Sequence, residues 1–225
     1  MSTTEMAHTA PASLAEMVRL ATIPPARLLA ETRSALLLVD VQNRFIFGTD
    51  PKALSPSARV VEPIAKLLQT ARTRGVPRYY VTVGHAPGYS DAAPWMRRLN
   101  DMGSDVKNRL QHAPLPAQAS EIPRDIAPMP GEIHLTKWRF SAFYETALDV
   151  LLRGGAVETV VIGGVASYGC IIATYIDACS RGFFPLLCAE AVDGTEPTMH
   201  RAAMDFMAPS VLGMETIIDV WGAQS

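Results

Sequence analysis

The fold of this chain is decided by the stretch VETVVIGGVASYGCIIATYIDACSRGFFPLLCAEAV, residues 157–192. Residues 157–164 are a short, largely apolar run, which favours a buried strand. Residues 169–182 carry apolar side chains at helical spacing, and residues 184–192 are again a short apolar run. A strand, a helix and a second strand in this order predict a parallel β-α-β unit with a right-handed crossover.

Strands and helices alternate on both sides of this unit. Further strands are predicted from short apolar runs at residues 35–40, 78–83, 131–137 and 214–220. Further helices are predicted from apolar spacings of three and four at residues 57–74, 141–155 and 198–208. With no internal repeat and no hairpin signal, the alternation predicts an α/β fold with three layers, α/β/α, in which helices cover both faces of a six-stranded, mainly parallel sheet.

Two segments fall outside this alternation. Residues 1–33 are interpreted as an N-terminal arm, with a break at Pro24-Pro25 and a short helix around Leu14, Met17 and Val18. Residues 84–130 mix prolines and charges without a clean period, so we expect irregular structure with short helices there. The rest of the chain, residues 34–225, is predicted to be a single domain.

Composition narrows the range of partners and compartments. The net charge of -2 and the pI of about 6.2 give no electrostatic reason to bind nucleic acid or an anionic membrane, so a small molecule is the expected partner. No apolar stretch is long enough to span a bilayer, and the N-terminus does not resemble a secretory signal. The three cysteines suggest neither a disulfide framework nor a zinc knuckle. We therefore expect a soluble, cytoplasmic protein, and its apolar composition suggests a homodimer or homotetramer.

Three polar residues are predicted to lie at one edge of the sheet. Asp40 closes the first strand, Lys137 closes the third, and Cys170 lies in the turn between the fourth strand and its helix. Ligands bind beyond the carboxyl ends of parallel strands, where these residues would meet. A helix N-terminus and a nearby ammonium both favour a thiolate, so we expect Cys170 to be ionised near neutral pH.

Each of these residues has an ordinary alternative reading. A free cysteine is usually buried packing, an aspartate can cap a loop, and a lysine can be a solvated charge. Their joint position at strand ends favours a catalytic triad instead. The other cysteines, Cys179 and Cys188, lie among apolar residues and are assigned to the core.

Three segments of the sequence carry a family resemblance. ALLLVDVQNRF, LTKWRFSAFYETAL and VIGGVASYGCIIATYIDACSRGF resemble the signature blocks of the isochorismatase-like cysteine hydrolases, a superfamily with a Rossmann-like fold. Its members include N-carbamoylsarcosine amidases, ureidoacrylate amidohydrolases, nicotinamidases and biuret hydrolases. The similarity runs from about Ser34 to the C-terminus.

The resemblance also implies roles for individual residues. Asp40 would be the general acid/base, Lys137 the charge stabiliser and Cys170 the nucleophile. A cis peptide bond is implied between Val165 and Ala166, and the backbone N–H groups of Ala166 and Cys170 would form the oxyanion hole.

The function implied is hydrolysis of a small linear amide or ureido (carbamoyl) C–N bond through a thioester intermediate, with release of ammonia or an amine. Two alternatives remain open at this point. One is an isochorismatase-type hydrolase acting on an enol ether, which the resemblance implies would not use this cysteine. The other is a catalytically silent binding module with the same fold. A redox-sensing thiol is less favoured because no resolving cysteine is evident.

A metal or cofactor is not predicted. Nicotinamidases of the family bind zinc through an Asp-x-His pair and a further histidine, whereas VTVGHAPGY here keeps only His85, with Val83 and Tyr89 at the other positions. Candidate residues for the substrate pocket adjoin the three blocks, although ordinary packing is an equal alternative for them. They are Gln42, Phe45, His85, Trp138, Arg139, Phe140 and Tyr144.

Overall fold

The fold is built on one parallel β-sheet. The computed structural model of the chain describes residues 24–47, 56–84, 94 and 117–223. The strands are β1 (Ser34–Val39), β2 (Arg78–Val83), β3 (Ile133–Lys137), β4 (Thr159–Val165), β5 (Phe184–Asp193) and β6 (Val211–Leu212). They form a six-stranded sheet in the order β3-β2-β1-β4-β5-β6, and each neighbouring pair is parallel. The predicted fold class is confirmed.

Helices connect the strands and cover the sheet. They are α1 (Pro25–Glu31), α2 (Asn43–Ile46), α3 (Val61–Thr73), α4 (Ala117–Ser120), α5 (Leu148–Gly154), α6 (Ile172–Ser180), α7 (Pro197–Phe206) and α8 (Met214–Ala223). Short 3-10 turns occur at Pro56–Val60, Arg124–Ile126 and Ala208–Ser210, and a π-helical turn at Ser167–Ile171 leads into α6. None of the described helices is long and apolar enough to cross a membrane.

The central strand β1 divides the core between the two faces of the sheet. Side chains of a strand point alternately to opposite faces. Leu36 and Leu38 belong to the apolar cluster formed with α1, α3 and α8, whereas Leu37 and Val39 belong to the cluster formed with α5, α6 and α7. All four side chains are fully buried, which explains why this strand reads as an unbroken apolar run.

The prediction of a strand at residues 214–220 is wrong, because these residues form α8. Ile217 and Trp221 are four residues apart and both fully buried, and α8 contacts α1, α3 and β5. Trp221 also donates from its indole N–H to Ser34 Oγ over 2.9 Å. The predicted segment stops at Val220, so it omits the tryptophan that completes the helical spacing. The sixth strand is the short Val211–Leu212, which pairs with β5.

The helix predicted at residues 141–155 is shorter in the structure, where only Leu148–Gly154 is helical. Side-chain hydroxyls of the preceding residues form one hydrogen bond within the segment and one to α6, and such bonds compete with helical hydrogen bonds. Thr146 Oγ1 donates to Ala142 O over 2.6 Å, and Ser141 Oγ donates to Asp177 Oδ2 over 2.7 Å. These contacts hold residues 141–147 in turns against α6.

The predicted N-terminal arm is described only from residue 24. Pro24 is extended, and Pro25 begins α1, a position where its missing N–H costs nothing. Leu29 in α1 is fully buried against the core. The helix predicted around Leu14, Met17 and Val18 lies outside the described residues, as does most of the segment 84–130.

A buried carboxylate joins α3 and β2 to the start of β3. Glu132, with a side chain 1% exposed, accepts hydrogen bonds from Arg72 at 2.8 and 3.0 Å and from Arg78 at 2.9 Å. The N–H of Met129 donates to the same carboxylate over 2.9 Å. Burial alone raises the pKa of Glu132, but these hydrogen bonds outweigh burial and lower it to about 2. The carboxylate is therefore ionised throughout the neutral range.

Replacing Glu132 by Gln should lower the free energy of unfolding at pH 7 by about 3 kcal/mol or more, because two partly buried guanidinium groups lose their common carboxylate. The pKa of Glu132 is lower in the folded protein than its ordinary value of 4.5, so its contribution is complete above that value and is lost as the pH falls toward about 2. Urea unfolding of both proteins between pH 7 and pH 3 measures this difference. Glu31→Gln, at an exposed ion pair with Arg27, is the control and should change stability little. A difference between wild type and Glu132→Gln that stays constant with pH would contradict the assignment.

Candidate active site

The candidate site lies where the order of the sheet reverses. From β1 the chain builds outward through β2 to β3, and it then returns to the other side of β1 to add β4, β5 and β6. Such a switch point leaves a crevice at the carboxyl ends of the two central strands. Asp40 directly follows β1, and the π-helical turn that contains Cys170 follows β4 after Ala166.

Asp40 is held by the neighbouring strand β2. Its backbone is left-handed (φ 54°), a conformation that aspartate adopts more readily than most residues. Its N–H donates to Val81 O over 3.0 Å, and its Oδ1 accepts the N–H of Val83 over 2.8 Å. These two bonds orient a carboxylate that is almost completely buried.

Lys137 reaches the same point from the far side of β2. It is the last residue of β3, two strands away from β1, or roughly 10 Å at ordinary strand spacing. Its Nζ lies 2.8 Å from Asp40 Oδ2, donates to Cys170 Sγ over 3.2 Å and donates to Arg139 O over 3.0 Å. The side chain is fully buried, so the structure brings Asp40, Lys137 and Cys170 together around one buried ammonium.

The surroundings of Cys170 favour its neutral thiol. Burial is the largest cause and the negative charge of Asp40 the next, and together they raise the pKa of Cys170 to about 12 against the opposing effect of Lys137. A hydrogen bond with Asp40 also favours the protonated form. The expectation of a thiolate near neutral pH is therefore wrong. That expectation included the ammonium and the helix terminus, which lower the pKa of a thiol. It left out the desolvation of the sulfur and the charge of the nearby carboxylate, which raise the pKa.

The turn between β4 and α6 brings backbone amides to the site. The peptide bond between Val165 and Ala166 is cis. Ala166 O accepts the N–H groups of Gly169 and Ile171 over 2.9 and 3.2 Å, which closes the turn. Immediately before it, Gly164 has φ 120°, and a Cβ there would overlap Val39 O. The close approach of β4 to β1 that glycine permits sets the turn beside Asp40.

A cavity of about 730 Å³ opens onto the sulfur. Asp40 and Cys170 lie in its wall together with Ala166, and most of the remaining wall is apolar. A cavity of this volume suits a small-molecule ligand. The remaining described lining residues are Arg44, Phe45, Ser57, Phe140, Val165, Tyr168, Gly169, Ile172, Ala173, Ile176 and Thr195.

The structure places some of the predicted pocket residues in this wall and others elsewhere. Phe45 and Phe140 line the cavity. The buried side chain of Gln42 turns away and donates to Ser120 O over 3.1 Å, and Arg139 Nη1 donates to Trp138 O over 2.7 Å. Gln42, Trp138, Arg139 and Tyr144 are therefore not among the described lining residues, and His85 lies outside the described part of the chain.

Sequence reasoning missed the contribution of α6 to the wall. Ile172 and Ile176 line the cavity at a spacing of four residues, on the helix that follows Cys170. Cys179 lies on the same face of α6 and is exposed, and Ile176 is 48% exposed. The assignment of Cys179 to the core is therefore wrong. Cys188 is fully buried in the core, as predicted.

Among the described residues, no group of three or more histidine, cysteine, aspartate or glutamate side chains could hold a metal ion. Cys170 and Asp40 contact a lysine instead, whose ammonium already provides a positive charge at the position facing the sulfur. The described part of the site is therefore suited to nucleophilic and acid/base chemistry.

Comparison with known proteins agrees with this geometry. Residues 34–219 match the model of the isochorismatase domain family. The chain belongs to the isochorismatase family. The family resemblance read from the three sequence blocks is confirmed.

Relatives of this family member include amidohydrolases. It is 31% identical over 185 residues to ureidoacrylate amidohydrolase of Methylobacterium radiotolerans, covering 75% of this chain and 70% of that protein. It is 30% identical over 171 residues to maleamate amidohydrolase of Pseudomonas putida, covering 76% of each. Among solved structures, N-carbamoylsarcosine amidase of Thermoplasma acidophilum aligns with a TM-score of 0.64 at 28% identity, covering 81% of this chain and 97% of that one. This isochorismatase family member is an enzyme of the hydrolase class.

The protonation state of Cys170 can be tested by alkylation. In Asp40→Asn the thiol loses the carboxylate charge that raises its pKa, so iodoacetamide should label Cys170 faster than in wild type at pH 7.5. The thiolate fraction rises about tenfold for each unit by which the pKa falls, and the lower nucleophilicity of a less basic thiolate reduces the gain in rate to about threefold. Lys137→Met should slow the labelling. Peptide mass spectrometry gives the rate at Cys170 and, as an internal control, at the exposed Cys179. Slower labelling in Asp40→Asn would show that the carboxylate does not oppose ionisation.

Proposed function

We propose that the protein is a cysteine-dependent amidohydrolase that cleaves a small linear amide or ureido C–N bond through a thioester on Cys170. The observation that carries the proposal is the contact of one buried ammonium with both the Asp40 carboxylate and the Cys170 sulfur, at the wall of a cavity sized for a small molecule. The similarity to ureidoacrylate and maleamate amidohydrolases supports hydrolysis of an amide bond.

The first step follows from the protonation state. A neutral thiol is a weak nucleophile, and both the sulfur and the Asp40 carboxylate contact Lys137 Nζ, which places a base beside the thiol. As sulfur attacks the substrate carbonyl carbon, its proton passes to Asp40. Lys137, 3.2 Å from the sulfur, stabilises the negative charge that develops there. The thiolate therefore forms during the attack and does not exist as a standing anion.

The same attack also requires hydrogen-bond donors for the carbonyl oxygen of the substrate. When sulfur bonds to the carbonyl carbon, that oxygen becomes an anion, and we assign its stabilisation to the backbone N–H groups of Ala166 and Cys170. Both residues line the cavity at the turn that carries the nucleophile. Each donor of this kind is typically worth about 2.7 to 4 kcal/mol in the transition state.

Asp40 then completes the reaction in two proton transfers. The protonated carboxyl gives its proton to the leaving nitrogen, so the C–N bond breaks, ammonia or an amine departs, and a thioester remains on Cys170. Asp40 next takes a proton from a water molecule that attacks the thioester. The C–S bond breaks, the acid leaves, and the proton returns to sulfur, which restores the neutral thiol.

The position of Cys170 distinguishes this proposal from cleavage of an enol ether. A sulfur that touches Lys137 and lies in the cavity wall is placed to attack a carbonyl, and an enol ether offers no such electrophile. A silent binding module would not require an acid, a base and a nucleophile in mutual contact.

The proposal is tested by measuring ammonia release from a panel of small amides, carbamoyl amino acids, biuret and nicotinamide. Turnover of at least one linear amide or ureido compound is expected, and Cys170→Ala should reduce it by more than about 10³-fold, as expected when the nucleophile is removed. Cys179→Ala is the matched control and should retain wild-type turnover because Cys179 is exposed and not among the described lining residues.

Intact mass spectrometry of rapidly quenched reactions should show the wild-type protein heavier by the acyl group, with the added mass on the peptide that contains Cys170. Turnover that survives in Cys170→Ala, or a panel without any cysteine-dependent substrate, would remove the proposal.

A further inference from the structure

We propose that His200 is a positioning residue for the reaction, acting through Ser167 to hold the turn that presents Ala166 and Cys170 to the substrate. The inference rests on the proposed function, because it concerns the same nucleophile and the same backbone amides. His200 belongs to α7, a helix outside the sequence blocks that carry the family resemblance.

The direct contact is between two side chains. Ser167 is the first residue of the π-helical turn and follows Ala166, and its side chain is fully buried. His200 Nδ1 lies 3.0 Å from Ser167 Oγ, within hydrogen-bond distance. A buried hydroxyl without its partner is costly, so this contact ties the turn to α7.

His200 is itself held against β5. Asp193 is the last residue of β5 and is paired in register with Val165, the residue just before the turn. Its carboxylate is 1% exposed, and Oδ1 lies 3.9 Å from His200 Nδ1. Arg59 binds the same carboxylate through Nε at 2.8 Å and Nη2 at 2.5 Å, which fixes it in one plane. The imidazole therefore has a fixed charged neighbour on the strand next to the turn.

Two residues that follow β5 also contact the same turn. A Cβ at Gly194 would lie 2.9 Å from Ser167 Oγ and 2.5 Å from a ring carbon of Tyr168, so only glycine permits this approach. The hydroxyl groups of Tyr168 and Thr195 lie 2.9 Å apart. The turn is thus bounded by the residues that follow β5 as well as by α7.

Ser167, His200 and Asp193 do not form a second nucleophilic triad. A relay needs the serine and the carboxylate on different nitrogen atoms of the imidazole, whereas both face Nδ1 here. The hydroxyl of Ser167 is also buried, while the described cavity wall contains the sulfur of Cys170. The arrangement is suited to positioning the turn.

The test compares three variants in steady-state assays on a substrate identified with the wild-type protein. His200→Leu removes the contact and should lower kcat by about 10- to 100-fold, the loss expected when reacting groups shift by about 1 Å. KM should change by less than about threefold, because His200 is not among the described residues of the substrate cavity. His200→Asn keeps a polar atom at the place of Nδ1 and should recover most of kcat.

Ser167→Ala supplies an independent route to the same loss. It should lower kcat as His200→Leu does, and the double variant should be no slower than either single variant, because both remove one interaction. Arg201→Leu changes the exposed neighbour of His200 and should leave kcat unchanged. Thermal unfolding shows whether each variant remains folded at the assay temperature.

The proposal fails if His200→Leu raises KM and leaves kcat intact, if Asn and Leu at this position behave alike, or if the losses from Ser167→Ala and His200→Leu multiply in the double variant. If wild type shows no cysteine-dependent turnover, the proposed function fails first. A wild-type enzyme that works and a folded His200→Leu variant with normal kcat overturn only the positioning role.

Discussion

The ion pair between Asp40 and Lys137 is the interaction on which the site depends. Both side chains are almost inaccessible to water, and their charged atoms lie 2.8 Å apart. Removing two charges from water is costly, and the pair is tolerated only because each charge has further partners. Asp40 accepts the N–H of Val83, and Lys137 donates to Arg139 O and to the sulfur. The pair thereby joins the ends of β1 and β3 across β2, and Lys137 of this pair contacts the sulfur of Cys170.

The same pair controls the charge of the nucleophile. An ammonium alone would favour the thiolate, but burial, the largest effect, and the charge of the carboxylate beside it both favour the neutral thiol. A stored proton is useful in an amidase because the leaving nitrogen must be protonated before it departs. In the proposed mechanism, the proton that sulfur gives up to Asp40 is the one that the leaving group requires. In this proposed mechanism a single carboxylate thus links activation of the sulfur to departure of the amine.

Sequence patterns succeeded where the physical cause was local. The apolar runs of β1 and β4 and the residues that close them follow from strands buried on both faces of a parallel sheet. Patterns failed where distant contacts decided the outcome. Trp221 completes the buried face of α8 just beyond the segment assigned as a strand, and the hydroxyl of Ser141 bonds to Asp177 of α6 where apolar spacing favoured a helix. Cys179 has apolar neighbours in sequence, but its side chain is exposed.

The sequence by itself determined the alternation of strands and helices, the family, and the placement of Asp40, Lys137 and Cys170 at the carboxyl edge of the sheet. Strand direction and side-chain period are encoded within a few neighbouring residues, so these features can be read without coordinates. Only the tertiary structure decided the protonation of Cys170, the side chains that line the cavity, and the contact of His200 with Ser167. Each of these depends on burial and on distances between segments far apart in the chain, which no local pattern specifies.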